Sequence, residues 1–198
     1  MENNLLKKSA QEAILVFVDV ETTGLFPKNG DCVCEVGAVK THQGKILCEF
    51  QTLVNPQRPV PYGAYAVHQI SDEELKSAPL FAEVAEDLLN FLDDAVICAY
   101  NAKFDMGFLN SELARIGKKP LANPVIDVLL MARGLVQSDR YKLETVADNL
   151  NIFSSQGLHR AIYDCRVTAK VFYKLTEKIN NPPVQALIEK YGKSTVKE

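Results

Sequence analysis

A chain of 198 residues with 47% apolar composition can bury a sizeable core and fits one domain with at most a small appendage. Its formal net charge of −3 and pI near 5.7 argue against a protein held on long duplex DNA by electrostatic attraction, and leave room for local contact with a nucleic-acid end. Met1 to Gln11 is polar and no apolar run reaches the roughly 18 residues of a membrane span, so a cytoplasmic protein with no membrane partner is expected.

Residues 1–12 read as a frayed polar leader. A buried strand follows at Ile14 to Val20, running into Glu21-Thr22-Thr23-Gly24. Cys32 to Lys40 and Lys45 to Val54 are β-rich and joined at Thr41-His42-Gln43-Gly44, which predicts a hairpin. Pro56, Pro59 and Pro61 make Asn55 to Gly63 an extended connector. Ser71-Asp72-Glu73-Glu74 has the form of a capping box opening a short helix. Phe81, Val84, Ala85, Leu88, Leu89 and Leu92 recur at helical spacing, and Ala95 to Tyr100 is a buried strand. A helix is expected over Phe104 to Ile116, stopped at Gly117-Lys118-Lys119-Pro120. Val125-Ile126 is a brief strand leading into a helix over Asp127 to Gly134, and another short helix covers Lys142 to Leu150. Asn151 to Arg160 is a loop rich in Ser, Gln and Gly. The last long helix spans about Tyr163 to Ile179, with Val167, Val171, Leu175 and Ile179 on one stripe. After Asn180-Asn181-Pro182-Pro183 comes a short helix with a charged tail. Three strands followed by alternating strands and helices give an α/β class, a mixed sheet with helices on its faces. The division expected is 1–12 leader, 13–180 domain, 181–198 helix and tail.

The five cysteines are odd in number and sit mostly in apolar segments, as reduced core thiols do; Cys32 and Cys34 have no second pair to complete a zinc site. The carboxylates carry more information. Asp19 and Glu21 are two apart on a strand and therefore share a face. Two anions side by side repel unless a cation lies between them, and magnesium-like ions take carboxylate oxygens; a strand end meeting water would also carry acids. Asp105 opens a helix just past the carboxyl end of a strand, where α/β sheets place ligands, and where a helix dipole also favours an acid. His159 and Asp164 would point about 140° apart on one continuous helix. They converge if His159 sits on the loop, which Gly157 makes feasible, and Asp164 in the first turn. Asp164 falls on the stripe of Val167, Val171 and Leu175, and a core-facing carboxylate needs a hydrogen bond, a counter-charge or a metal.

Asp-x-Glu-Thr-Thr-Gly at 19–24, Asn-Ala-Lys-Phe-Asp at 101–105 and His159 followed by four residues and Asp164 together resemble the three motifs of the DEDDh family of 3′–5′ exonucleases. The likeness covers about residues 14 to 178 and extends to the branch that holds the proofreading epsilon subunits of bacterial DNA polymerase III. That branch usually carries His-Gly-Ile-Thr where this chain has His68-Gln69-Ile70-Ser71. The resemblance implies a ribonuclease-H-like fold with a mixed five-stranded sheet flanked by helices, and two Mg²⁺ or Mn²⁺ ions on Asp19, Glu21, Asp105 and Asp164. It makes His159 the general base. Thr22, Thr23, Gly24 and Leu25 match positions lining the terminal nucleotide, with His68, Asn101 and Phe104 further along the cleft; Lys142 and Arg160 are candidates for phosphate contact. The implied activity is hydrolysis of phosphodiester bonds from the 3′ end of single-stranded or frayed DNA, releasing nucleoside 5′-monophosphates, with a DNA polymerase subunit as a candidate partner. The same chemistry on short RNA, as in oligoribonuclease or ribonuclease T, and a non-catalytic nucleic-acid-binding or polymerase-docking module are the alternatives. All five catalytic positions hold competent residues, which weighs against the last.

Overall fold

The structure, a computed structural model, describes residues 5–152 and 159–192. The expected Ser/Gln/Gly loop, Gly157 included, falls largely outside these residues, as do the first four residues and the last six. Five strands form one sheet: β1 (Leu15–Thr22), β2 (Val33–His42), β3 (Lys45–Leu53), β4 (Val96–Ala99) and β5 (Val125–Asp127), in the order β3-β2-β1-β4-β5. β1 pairs antiparallel with β2 and parallel with β4, so the sheet is mixed, as expected. Gln43 and Gly44 turn the β2–β3 hairpin with φ of 53° and 70°, the doubly positive pair that matches the right-handed twist of the flanking strands.

Eight helices are described: α1 (Tyr62–His68), α2 (Asp72–Lys76), α3 (Phe81–Leu92), α4 (Ala102–Arg115), α5 (Val128–Leu135), α6 (Leu143–Asn149), α7 (Ala161–Lys178) and α8 (Val184–Tyr191). Strand alternation divides the core between the two faces of the sheet. Val16, Val18 and Val20 pack with Phe81, Leu88 and Leu92 of α3 and Phe108 and Leu109 of α4. Leu15 and Phe17 pack on the other face with Val171, Phe172 and Leu175 of α7 and Leu187 of α8. The rings of Phe17 and Phe172 meet edge to face with centroids 5.4 Å apart, a favoured geometry for buried aromatics. Asp19 and Glu21 continue the Leu15–Phe17 row, so this alternation delivers both acids to the side of α7.

The structure departs from the sequence expectations in two places. Residues 5–13 are not frayed: Ala10 and Ala13 are fully buried, Leu5 and Leu6 pack on the core, and Ser9 bridges Pro183. Ala10 N–H donates to Pro182 O, while Val184 and Gln185 N–H donate to Lys8 O and Leu6 O, so the segments 6–10 and 182–185 hold each other in place. Helix α1 begins at the end of the expected Asn55 to Gly63 connector and continues over residues for which the sequence predicts no element. Pro61 stands at its N-cap, where a missing N–H costs nothing. The capping box at Ser71 forms as expected, Ser71 N–H donating to Glu74 Oε2 at 2.8 Å.

Candidate active site

The site gathers where β1 outruns its neighbour. β4 pairs with β1 only at Leu15–Phe17, which leaves the Val20 N–H beyond the end of β4. A buried amide needs an acceptor, and Asp105, in the first turn of α4, supplies Oδ1 at 3.2 Å. The parallel crossover from β4 into α4 thus brings an acid to the strand that carries Asp19 and Glu21. Asp127, at the end of β5, caps α5 by accepting from Leu129 and Leu130 N–H at 2.9 and 3.2 Å, and the backbone N–H groups of Asn101 and Ala102 lie close enough to favour its charged form. It thereby fixes the junction from which Asp105 projects. In the sequence Asp127 reads only as a helix start; its place after a β-rich pair and before an apolar run is the available signal.

On the other side, the first turn of α7 lies against β2. Asp19 sits opposite Gly37 in the β1–β2 register, and an ideal Cβ on Gly37 would stand 2.5 Å from the Ala161 carbonyl carbon and 2.6 Å from Ile162 N. Only a residue without a side chain lets the helix come this close. Cys165 Sγ–H donates to Gly37 O at 3.2 Å across the same contact. Asp164 then points at the β1 acids, and ligand atoms of Asp19, Glu21 and Asp164 lie within 4.8 Å of one another. Asp164 Oδ2 accepts the His159 N–H at 3.2 Å. His159 precedes the helix and Asp164 occupies its first turn, the arrangement expected from their spacing. The His159 imidazole is half-exposed, with Nε2 3.7 Å from Glu144 Oε1 of α6, and its backbone φ is +79°, a conformation that non-glycine residues hold only under constraint.

The electrostatics are those of buried acids that repel one another. Burial, then the charges of Asp105, Asp164 and Glu21, raises Asp19 well above the ordinary carboxylate range. Burial, then Asp164, pushes Glu21 up to about 8, against the opposing pull of Arg160. Burial lifts Asp164 to about 6 even though the His159 N–H favours its charged form. Asp105 is likewise raised well above its usual value, chiefly by burial. Asp105 Oδ2 and Asp164 Oδ1 are buried without a hydrogen-bond partner. An orphaned oxygen on Asp164, inside the cluster, and another on Asp105, outside it, fit a hard divalent cation, which takes oxygen ligands and offsets the repulsion of the acids.

The residues expected at the terminal nucleotide divide into two groups. The Thr22 hydroxyl donates to Gly24 O at 2.6 Å, and Thr23 Oγ1 accepts Cys32 N–H at 3.0 Å. Both threonines are buried, so these hydroxyls fold the turn rather than face outward. A Cβ on Gly24 would stand 2.3 Å from Asp31 Oδ2, so a side chain there would displace the Asp31 carboxylate. Leu25 and its neighbour Phe26 are 68% and 60% exposed. Their loop is braced by Arg115, which donates to Pro27 O and Asp31 O at 3.2 and 2.9 Å, and by Arg58, paired with Asp31 at 3.2 Å. His68 is buried at the end of α1: its Nδ1 accepts Ile70 N–H at 3.0 Å, and burial, its largest influence, lowers its pKa although the Thr22 carbonyl opposes this. Asn101 is exposed at the start of α4 with φ of 72°, and Phe104 packs its ring 4.9 Å from that of Phe108. Lys142 is the N-cap residue of α6. Arg160 is engaged with Glu35 at 2.8 Å rather than standing free for a phosphate.

Among known proteins, the exonuclease family model (RNase_T) matches residues 16–172. The chain is 38% identical over 169 residues to the DNA polymerase III subunit epsilon of Rickettsia felis, covering 81% of this chain and 73% of that protein. It is 36% identical over 190 residues to the PolC-type DNA polymerase III of Clostridium perfringens, covering 93% of this chain and 13% of that one. Two solved structures carry the same fold. Exonuclease X in complex with 5′ overhanging duplex DNA superimposes with a TM-score of 0.71 at 24% identity, over 87% of this chain and 97% of that one. The nuclease domain of 3′hExo, a DEDDh family member bound to rAMP, superimposes at 0.75 and 16% identity, over 88% and 96%. The matched span contains every acid of the cluster, and a family that depends on divalent metal accounts for carboxylates that otherwise only repel one another: the chain belongs to the exonuclease family, as a 3′–5′ exonuclease.

Proposed function

We propose that this protein removes nucleotides one at a time from single-stranded or frayed 3′ ends of DNA, releasing nucleoside 5′-monophosphates, as a proofreading or repair exonuclease associated with a DNA polymerase. The observation that carries the reading is the cluster of Asp19, Glu21 and Asp164 ligand atoms within 4.8 Å, with orphaned oxygens on Asp164 and Asp105. Asp19, Glu21, Asp105 and Asp164 are the residues that would hold two Mg²⁺ or Mn²⁺ ions. Bound there, such ions supply charge neutralisation, an acidified water and stabilisation of the departing oxygen. His159 takes the proton of the attacking water as its oxygen bonds to phosphorus and the P–O3′ bond breaks, and the departing O3′ takes a proton from solvent to leave a new 3′ hydroxyl on the shortened strand. DNA is favoured over RNA because relatives at 36–38% identity are replicative DNA polymerase subunits.

Exposed apolar side chains support an unpaired strand as substrate. Leu25 and Phe26 stand on the loop after β1, and Tyr62, Tyr65 and Val67 are 84%, 42% and 49% exposed on α1, the helix that ends in His68. Every nucleobase has a face that stacks on such groups, and paired ends must first unstack, which costs a few kcal/mol per base. Ladder assays with 5′-labelled single-stranded DNA, a mismatched primer and short RNA test the reading. We expect stepwise 3′ shortening, fastest on the single strand, with RNA slower. Shortening from the 5′ end would reject it, and a clear preference for RNA would move the substrate to short RNA ends.

A further inference from the structure

Glu35 is a fully buried acid beside the site that is not one of the clustered ligands. It stands opposite Glu21 across the β1–β2 pair, yet both of its oxygens are already occupied. Oε1 accepts Gln51 Nε2 and Arg160 Nη2, each at 2.8 Å; Oε2 accepts Arg160 Nε at 3.1 Å and the Ala161 N–H at 3.0 Å. A guanidinium fork matches a carboxylate in two places at once and fixes orientation as well as distance. Resting on the assignment of His159 as the base, we propose that the Glu35–Arg160 pair is a clamp that sets the position of His159, with both residues acting as positioning residues for the exonuclease reaction.

The geometry around His159 explains why a clamp is needed. The imidazole is half-exposed, and its ion-pair partner among the described residues, Glu144 Oε1, is 3.7 Å away, too far for a firm hydrogen bond. Its place is therefore set through the backbone. The His159 N–H is held by Asp164, and the next two residues are held by Glu35. Between these anchors the backbone sits at φ +79°, a conformation that persists only when the surroundings over-determine it. Glu35 projects from β2, so the clamp references the base to the same sheet that carries Asp19 and Glu21. Misplacing a reacting group by about 1 Å can cost 10²-fold in rate, which is the scale of the effect at stake.

The test is a double-mutant cycle in the full chain. Arg160→Lys keeps a positive charge and loses the fork; Glu35→Gln keeps the volume and loses an acceptor. Each is combined with His159→Ala, and kcat, KM for single-stranded DNA and Mn²⁺ affinity are measured. We expect Arg160→Lys and Glu35→Gln to lower kcat by ~10- to 100-fold, with KM and Mn²⁺ affinity near wild type. Neither should lower it further once His159 is alanine, because a residue acting only through another is silent when that other is gone. Circular dichroism and Mn²⁺ binding establish that each variant is folded. Equal losses in both backgrounds would overturn the clamp while leaving the base intact. Wild-type turnover in His159→Ala alone would instead overturn the assignment of the base, and the clamp with it.

Discussion

Without metal, the acidic cluster should make the protein less stable as the pH rises, and a divalent ion should reverse that. Asp164 is buried and moves from 3.8 to about 6 on folding, and Glu21 from 4.5 to about 8. Between the unfolded and folded values the folded state binds more protons than the unfolded one, so the stabilisation present at low pH is lost as the pH rises through the folded values. For Asp164 the displacement corresponds to about 3 kcal/mol. For a domain of this size that is on the order of 10 °C in Tm. We therefore expect Tm in EDTA to fall between about pH 4 and about pH 8.5, with Asp164's share lost by about pH 6.5 and Glu21's spread from about pH 4.5 to about pH 8.5. Mn²⁺ competes with protons for the same oxygens. Its stabilising increment should be small at the acid end and grow with pH, because affinity adds to stability by mass action. Differential scanning fluorimetry across this range, with and without metal, reads both effects, and Asp164→Asn should flatten the lower half of the apo profile. A Tm in EDTA that is level or rises over the window, or a metal increment equal at both ends, would refute the reasoning.

Asp19→Ala should abolish both Mn²⁺ binding, measured by calorimetry, and turnover, whereas His159→Ala should keep the metal and lose ~10²–10⁴-fold in turnover. Gly37→Ala should destabilise the fold by ~1–3 kcal/mol in urea melts, because a methyl 2.5 Å from the Ala161 carbonyl carbon forces α7 outward. It should weaken metal binding as well, by drawing Asp164 away from Asp19. Gln69→Gly should raise stability by up to ~1 kcal/mol in the same melts, since Gln69 caps α1 at φ 58°, where an L side chain is strained.

The parts of the site that follow from local periodicity were legible in the sequence. Alternation along β1 placed Asp19 and Glu21 on one face, and the helical stripe of Val167, Val171 and Leu175 placed Asp164 toward the core; all three stripe residues are buried. The need to bring His159 and Asp164 together implied a loop followed by a first turn, as found. Departures from the family pattern were also readable in part. Gln69 stands where the related branch has glycine, and the left-handed cap of α1 supplies the reason for that glycine.

What stayed hidden depends on contacts between residues far apart in sequence. Thr22 and Thr23 look like a polar lip, but nothing local says that their hydroxyls turn inward to Gly24 O and Cys32 N. Glu35 reads as an ordinary strand residue and Arg160 as a candidate for phosphate contact. Their partnership appears only when the β1–β2 register sets Glu35 opposite Glu21 and Gly37 lets α7 dock on the same strand. These two conditions are linked. A side chain at Gly37 would lift the first turn of α7, separating Asp164 from the β1 acids and Arg160 from Glu35 in one movement. One residue with no side chain therefore sets both halves of the proposed site, the metal cluster through Asp164 and the base through Arg160. Spacing motifs record the groups that react, and this site also rests on a glycine and an ion pair that place them.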